Sequence, residues 1–373
     1  MKELRDILAA LAALRDRGEA AALATITNVS GSTYRREGAR LLIREDGTTV
    51  GSISGGCLEG DVAEAARDVL QTGRPRVLNY DLTADDDAVW GLGLGCNGMI
   101  EVFVEPVHAE EDADLVRQLQ DTVDRRRTAA LATLTASPST MLPPGGRLFV
   151  PEDGEVRGSL GDSSLDAAAA AAARRQLAAG KSAKVPLAMP GGQGELFFAV
   201  VKPPLPLLVC GAGHDTLPLV RLANEMGWWV MVSDSRPAYA TRDRFPQADE
   251  VFLAQDRDVP EVVRIDKHTF VVVMTHNFLH DQELLRGLLR TPARYIGLLG
   301  PRARTEKLLA ELAKDGVALD GEQRARLYGP VGLDTGADSP EEIALSILAE
   351  ILAVHNGRTA TSLRDRHAPI HAS

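Results

Sequence analysis

Two stretches of this chain are near-copies of each other, and that repeat constrains the fold more than any other feature. AALATIT from Ala21 recurs as AALATLT from Ala129, an offset of 108. Upstream, Asp6, Ile7, Leu8 and Leu11 match Asp114, Leu115, Val116 and Leu119. Downstream, GARLLIREDG (38–47) aligns with GGRLFVPEDG (145–154), and VGSIS (50–54) parallels VRGSLG (156–161). A second helical segment follows in each copy, 58–71 and 165–179. Each copy then closes on a strand leading to a proline, EVFVEP (101–106) and FAVVKP (198–203). Both copies therefore read helix, strand, hairpin, helix, strand, with hairpin turns at Gly47 and Gly154 where positive φ is needed. The repeat predicts a pseudo-symmetric α+β domain over residues 1–201, built from copies 1–107 and 108–201.

What the copies do not share is more informative about chemistry. Only the first carries Gly55-Gly56-Cys57 ahead of its second helix, where the other has Asp162-Ser163-Ser164. Only the first carries the glycine-rich segment with Gly95 and Cys96, and the acidic stretch Asp81–Asp87. Cys57 falls where a helix begins, and the helix dipole favours a thiolate there. Cys96 lies among glycines that let the backbone approach a ligand closely. The competing reading is that both thiols are small packing residues. Arg35, in Ser32-Thr33-Tyr34-Arg35, has no counterpart near Pro138–Pro144 and suits an anionic group. The two cysteines lack the spacing of a zinc site, so the protein alone supplies no metal centre.

Composition narrows the function classes. The 373 residues hold 41 basic and 52 acidic side chains, a net charge of −11, with no basic stripe. That balance argues against a nucleic-acid binder. No apolar run reaches the roughly 20 residues needed to cross a bilayer, and the charged N-terminal segment lacks a signal peptide's apolar core. Three cysteines, Cys57, Cys96 and Cys210, are too few for a disulfide framework, so a reducing cytoplasm is expected.

The pattern changes after the proline-rich segment 202–206, which reads as a stiff linker. Apolar strands then alternate with helices over 207–357, predicting a Rossmann-like parallel sheet, with a polar tail at 358–373. The strands read LPLLVC (205–210), WWVMVSD (228–234), EVFLA (250–254), FVVVMT (270–275) and YIGLLG (295–300). Gly211 and Gly213 follow the first strand, but Thr216 stands at the third glycine position of the dinucleotide signature. Asp234 ends the second strand where a carboxylate would accept from a ribose, and Arg236 beside it leaves NADP open. His214, His276 and Gly300 join these in the expected crevice. The apolar stripe Ile343, Ile347, Leu348 and Ile351 reads as core or as a dimer contact.

These residues together resemble the XdhC/CoxI family, the xanthine dehydrogenase accessory factors. The carrying motifs are GSTYRREGARLLI (31–43), GSISGGCLEGDV (51–62), GLGCNG (93–98) and CGAGHDTLPLVRLANEMGW (210–228). VSDSRPAYATRDRFPQAD (232–249), VVMTHNFLHDQELL (272–285), YIGLLGPRAR (295–304) and GPVGLDTGADSPEEIALSILAEI (329–351) extend the match over most of the chain. Cys57 and Cys96 fall on the family's characteristic cysteines, and His214, Asp234 and His276 on its crevice positions. Tyr328 departs from the family's usual histidine. The resemblance implies a cytoplasmic maturation factor more than an independent catalyst. It would bind the molybdenum cofactor, support its sulfuration with a cysteine desulfurase, and deliver it to a molybdenum hydroxylase apoenzyme; the homodimer is expected from the stripe Ile343–Ile351 instead. Cys57 and Cys96 would contact the molybdenum or carry sulfur. The alternative is an NAD(P)-dependent oxidoreductase acting through the crevice.

Overall fold

The computed structural model describes residues 1–82, 97–108 and 110–367. The chain divides into two compact units, Met1–Pro203 and a second beginning at Pro204.

The first unit holds two antiparallel five-stranded sheets of identical order. One runs β3-β2-β1-β5-β4 and the other β8-β7-β6-β10-β9. Strands β1 (Ala21–Ser32), β2 (Arg40–Arg44), β3 (Thr49–Gly51), β4 (Arg76–Asp81) and β5 (Asn97–Val107) build the first. Strands β6 (Ala129–Ala136), β7 (Arg147–Pro151), β8 (Arg157–Ser159), β9 (Ala183–Met189) and β10 (Gly192–Val201) build the second. Helices α1 (Lys2–Arg17) and α2 (Glu59–Thr72) belong to the first copy, and α3 (Ala113–Asp124) and α4 (Ser163–Ala179) to the second. Period-two burial sorts the side chains. Ala22, Ala24 and Ile26 of β1 pack on Val62, Ala66 and Val69 of α2, as Ala130, Ala132 and Leu134 of β6 pack on Leu165, Ala169 and Ala173 of α4. Leu4 and Leu8 of α1 meet Ala129 and Phe149 of the second sheet together with Leu119 and Val123 of α3. Each copy thus keeps a core of its own beneath α2 or α4, and α1 and α3 join the copies through a shared apolar layer.

Strand pairing corrects the alignment of the closing strands. Ala21 pairs with Val107 and its equivalent Ala129 pairs with Val201. The offset there is 94, which makes Glu101 equivalent to Glu195, whereas matching Pro106 to Pro203 sets Glu101 against Phe198. Such a three-residue slip would turn Val102 and Val104 away from α2, and burial of one face fixes register against it. Pro106 lies within β5, while Pro203 follows the end of β10. The strands β4 and β9 were not expected; both are edge strands.

The second unit is a six-stranded parallel sheet of order β13-β12-β11-β14-β15-β16. Its strands are β11 (Pro206–Cys210), β12 (Trp229–Asp234), β13 (Glu250–Leu253), β14 (Phe270–Val273), β15 (Tyr295–Leu298) and β16 (Leu327–Tyr328). Order reverses between β11 and β14, which places a crevice at their carboxyl ends. The helix α5 (Thr216–Glu225) and the helix Pro340–His355 cover one face, and Phe278–Leu288 and Arg302–Lys314 the other. Ile347, Leu348 and Ile351 are core residues of the first face, so that stripe is interior and Leu345 and Leu352 are the exposed apolar positions of the helix. Tyr328 stacks on the buried Tyr295 at 4.3 Å between ring centroids, an apolar role in place of a histidine. No helix among the described residues is long and apolar enough to cross a membrane.

Candidate functional site

In the first unit the two copies differ most where their second helices begin. Asp166 accepts from Leu160 N–H and Ser159 Oγ–H, both at 2.7 Å, pinning the hairpin to the first turn of α4. Glu59, its equivalent, does the same for Ser54 N–H at 2.9 Å, Ile53 N–H at 3.3 Å and Ser52 Oγ–H at 3.2 Å. In the second copy Asp162 caps the helix by accepting from Ser164 and Leu165 N–H at 2.9 Å. In the first, Gly55 stands at that place and no carboxylate is available. Ser54 Oγ instead gathers the N–H groups of Gly56, Cys57 and Leu58 at 3.0–3.1 Å. Helix α2 starts at Glu59, whereas α4 starts at Ser163, the equivalent of Gly56. One helical turn is therefore unwound, and Gly56 adopts φ +110°, which side chains disfavour. Cys57 lies on this unwound turn, two residues ahead of the helix rather than opening it. It is a free thiol, half-buried beside the core that α2 covers.

Burial raises the Glu59 carboxyl, but the Ser54 hydroxyl and amide outweigh it and hold the group below its ordinary value. A depressed folded value means stability that is present above the unfolded value and lost as pH falls through the folded one. Amide protection at Ile53 and Ser54, corrected for intrinsic exchange, is expected to fall as pH drops below about 4.3. In Glu59→Gln that dependence should vanish; its persistence would rule Glu59 out as the titrating group.

Gly95 and Cys96 lie outside the described residues. Arg35 pairs with Glu3 of α1, which also accepts from Arg40 N–H at 3.1 Å, so it ties the loop to the helix.

In the second unit a crevice forms at the strand ends, but Gly213, His214, His276 and Gly300, expected in it, do not line its cavity. A Cβ on Gly211 would lie 2.5 Å from Met274 O, so only glycine fits between β11 and β14. Thr216 is fully buried and its hydroxyl donates to Gly211 O at 2.8 Å, tying helix to turn where a third glycine would allow close packing. Gly211, Asp234 and Arg236 come together in a cavity of about 160 Å³ with Ser235, Asp256, Thr275, Asn277 and His280. Asp234 accepts from Ala212 N–H at 2.7 Å and from Arg236 through Nε at 2.9 Å, Nη2 at 2.7 Å and its backbone N–H at 2.9 Å. Burial raises its carboxyl, yet these bonds hold it below the usual range. Arg236 lies 3.9 Å from the Tyr239 ring centroid.

His276 adopts φ +61° and its Nε2 lies 2.6 Å from Asp215 Oδ2, crossing the glycine turn; a Cβ on Gly213 would meet that carboxylate at 2.5 Å. His214 is exposed on the same turn. Gly300 sits apart, where a Cβ would lie 2.8 Å from Arg304 Cδ; Arg304 pairs with Asp281 at 2.6 Å, and Asp281 accepts from Thr275 at 2.5 Å. Asp256, missed in the sequence, binds His280 through Oδ2, and burial pushes its carboxyl up. The signal was a carboxylate just past the third strand. His276 and His280, four residues apart, serve different carboxylates, and among the described residues no group of three or more His, Cys, Asp or Glu side chains forms a metal site.

The XdhC Rossmann domain model matches residues 207–351, and the XdhC and CoxI family model matches 14–81 and 122–187. The chain belongs to the XdhC and CoxI family. Among XdhC relatives, a protein of Bacillus subtilis named as a probable xanthine dehydrogenase component is 33% identical over 342 residues, 92% of this chain and 95% of that one. The molybdenum cofactor insertion chaperone PaoD of Escherichia coli is 22% identical over 338 residues, 90% of this chain and 84% of that one. A solved structure described as a xanthine dehydrogenase from Bacillus halodurans superposes with a TM-score of 0.76 at 33% identity, covering 97% of this chain and 98% of the other.

Proposed function

We propose that this XdhC-family chain is an accessory factor in molybdenum cofactor maturation. It binds the cofactor as cargo, holds it while a cysteine desulfurase supplies sulfur, and delivers it to a molybdenum hydroxylase apoenzyme of the xanthine dehydrogenase kind. The names of the relatives support the class of function. The observation that carries it to this chain is the unwound turn, which sets a free thiol among glycines in one copy where the other has an ordinary capped helix. Thiolate sulfur is a soft donor suited to a metal that arrives with its own dithiolene ligands. Gly55 and Gly56 leave space beside it, since an added Cβ at either would meet nothing within 4 Å. Cys96 would be the second thiol, and a homodimer the working form.

The test uses the full chain, expressed with an intact cofactor pathway and purified without oxygen. Oxidised extracts are expected to show pterin fluorescence near one equivalent per chain, and the loaded chain should retain a hydroxylase apoprotein in a pull-down. Hydroxylase capture without pterin would reduce the protein to a scaffold. Turnover of NAD(P)H with added carbonyl or hydroxyl substrates would favour the oxidoreductase alternative instead.

A further inference from the structure

Asp234, the carboxylate placed by the fold to accept from a ribose, has no acceptor site left. Four donors converge on it, one from Ala212 and three from Arg236, and an ionised carboxylate offers about four lone-pair sites. The cavity beside it nevertheless holds a carboxylate with capacity to spare. Asp256 follows β13, its side chain is only 15% exposed, and His280 engages one of its oxygens, Oδ2. The other oxygen, Oδ1, has no partner among the described residues. Oδ1 thus keeps its lone pairs for a ligand hydroxyl entering the cavity in exchange for water.

The remaining lining has matching chemistry. Asn277 caps the helix Phe278–Leu288 through Oδ1, which leaves its amide N–H groups as donors. Ser235 adds a hydroxyl and Gly211 a wall without a side chain. No aliphatic side chain lines the space, so a flat aromatic ring would find only Arg236 and the His280 imidazole to stack on, and both are already engaged by carboxylates. A volume of about 160 Å³ has room for roughly five waters. That is below the ~300–1,000 Å³ of pockets for whole drug-sized ligands. It suits one sugar-sized group rich in hydroxyls.

We propose that this cavity binds the vicinal diol of a ribonucleotide ribose, with Asp256 accepting from the hydroxyls in place of Asp234 and His280 holding Asp256 in position. Arg236 is then a fixed part of the wall, locked by Asp234 and Tyr239, and not a free cation awaiting a phosphate. The assignment goes beyond the accessory role proposed above and does not require it, because it concerns the second unit alone. The same diol is offered by a nicotinamide dinucleotide and by a pterin cofactor carrying a nucleotide.

Calorimetric titration of the full chain with AMP, CMP and GMP, each beside its 2′,3′-dideoxy counterpart, tests it. Ribonucleotides should bind and the dideoxy forms should bind at least tenfold more weakly, since a site built around a hydroxyl rejects the analogue lacking it. Asp256→Asn should lower ribonucleotide affinity at least tenfold and His280→Gln less so, with thermal midpoints showing both variants folded. Preference for AMP would assign the dinucleotide source and preference for CMP or GMP the nucleotide-linked cofactor; both support the diol. Equal affinity for ribo and dideoxy forms, unchanged binding in Asp256→Asn, or no binding of any ribonucleotide would overturn it. Pterin content measured on the same preparations keeps the accessory function a separate question.

Discussion

Cys57→Ala is expected to cut the pterin retained by the full chain at least roughly tenfold while leaving the fold intact. The side chain is half-buried at the margin of the core beneath α2, so its truncation removes little packing. Its amide remains bonded to Ser54 whichever side chain is present. What is lost is the sulfur, and a soft ligand contact has no substitute among the neighbouring serines. Ser164→Ala, the equivalent change in the other copy, should leave retention untouched, because Ser164 sits in a regular first helical turn. The double variant Cys57→Ala, Cys96→Ala should retain still less. Fluorescence of oxidised pterin per mole of protein measures all three, and full loading of the double variant would remove the thiols from the function.

Much of this was legible in the sequence, and each exception has its own physical reason. AALATIT and AALATLT announced equivalent strands because both have the same face buried against equivalent helices. Gly211, Gly213 and Asp234 announced the parallel sheet because a close chain crossing between β11 and β14 tolerates few alternatives. The edge strands β4 and β9 were silent: Arg76–Asp81 is mostly exposed and Ala183–Met189 contains Pro186, so neither shows clean alternation. The closing strands invited a wrong register because Pro106 and Pro203 look alike in one dimension. Asp256 escaped notice for a different reason. Its meaning depends on Asp234 being saturated by Arg236, and only side-chain geometry reveals that.

Arg147→Met should destabilise the first unit by about 3–5 kcal/mol, the usual consequence of leaving a buried charge without its partner. Glu105 is 4% exposed, and Arg147 reaches it through Nε at 3.2 Å and Nη2 at 2.9 Å while also pairing with Asp112. Burial pushes the Glu105 carboxyl up and Arg147 pulls against it. The duplication explains why so much charge is buried here. Arg40 and Arg147 open the equivalent strands β2 and β7, and both act on Glu105, whose own equivalent is Ala199. Between the same copies, Lys184 binds both Glu101 at 2.7 Å and Glu195 at 2.5 Å, and its equivalent is Val77. In each case like charges on equivalent strands meet an opposite charge whose equivalent in the other copy is apolar, and Asp112 and Glu3 add to the first. Copying a module doubles every charge at the seam, and like charges facing each other would separate the halves unless the copies diverge. Glu105→Leu combined with Arg147→Met should accordingly recover part of the lost stability, since it removes the stranded Glu105 carboxylate but leaves Asp112 without Arg147, while Arg40 keeps Glu3 nearby. Hydrogen-exchange protection of β5 and β7 reads the first unit directly. Loss of less than about 1 kcal/mol in Arg147→Met would mean that this pair behaves as a solvated surface contact and that the seam is held by its apolar residues alone.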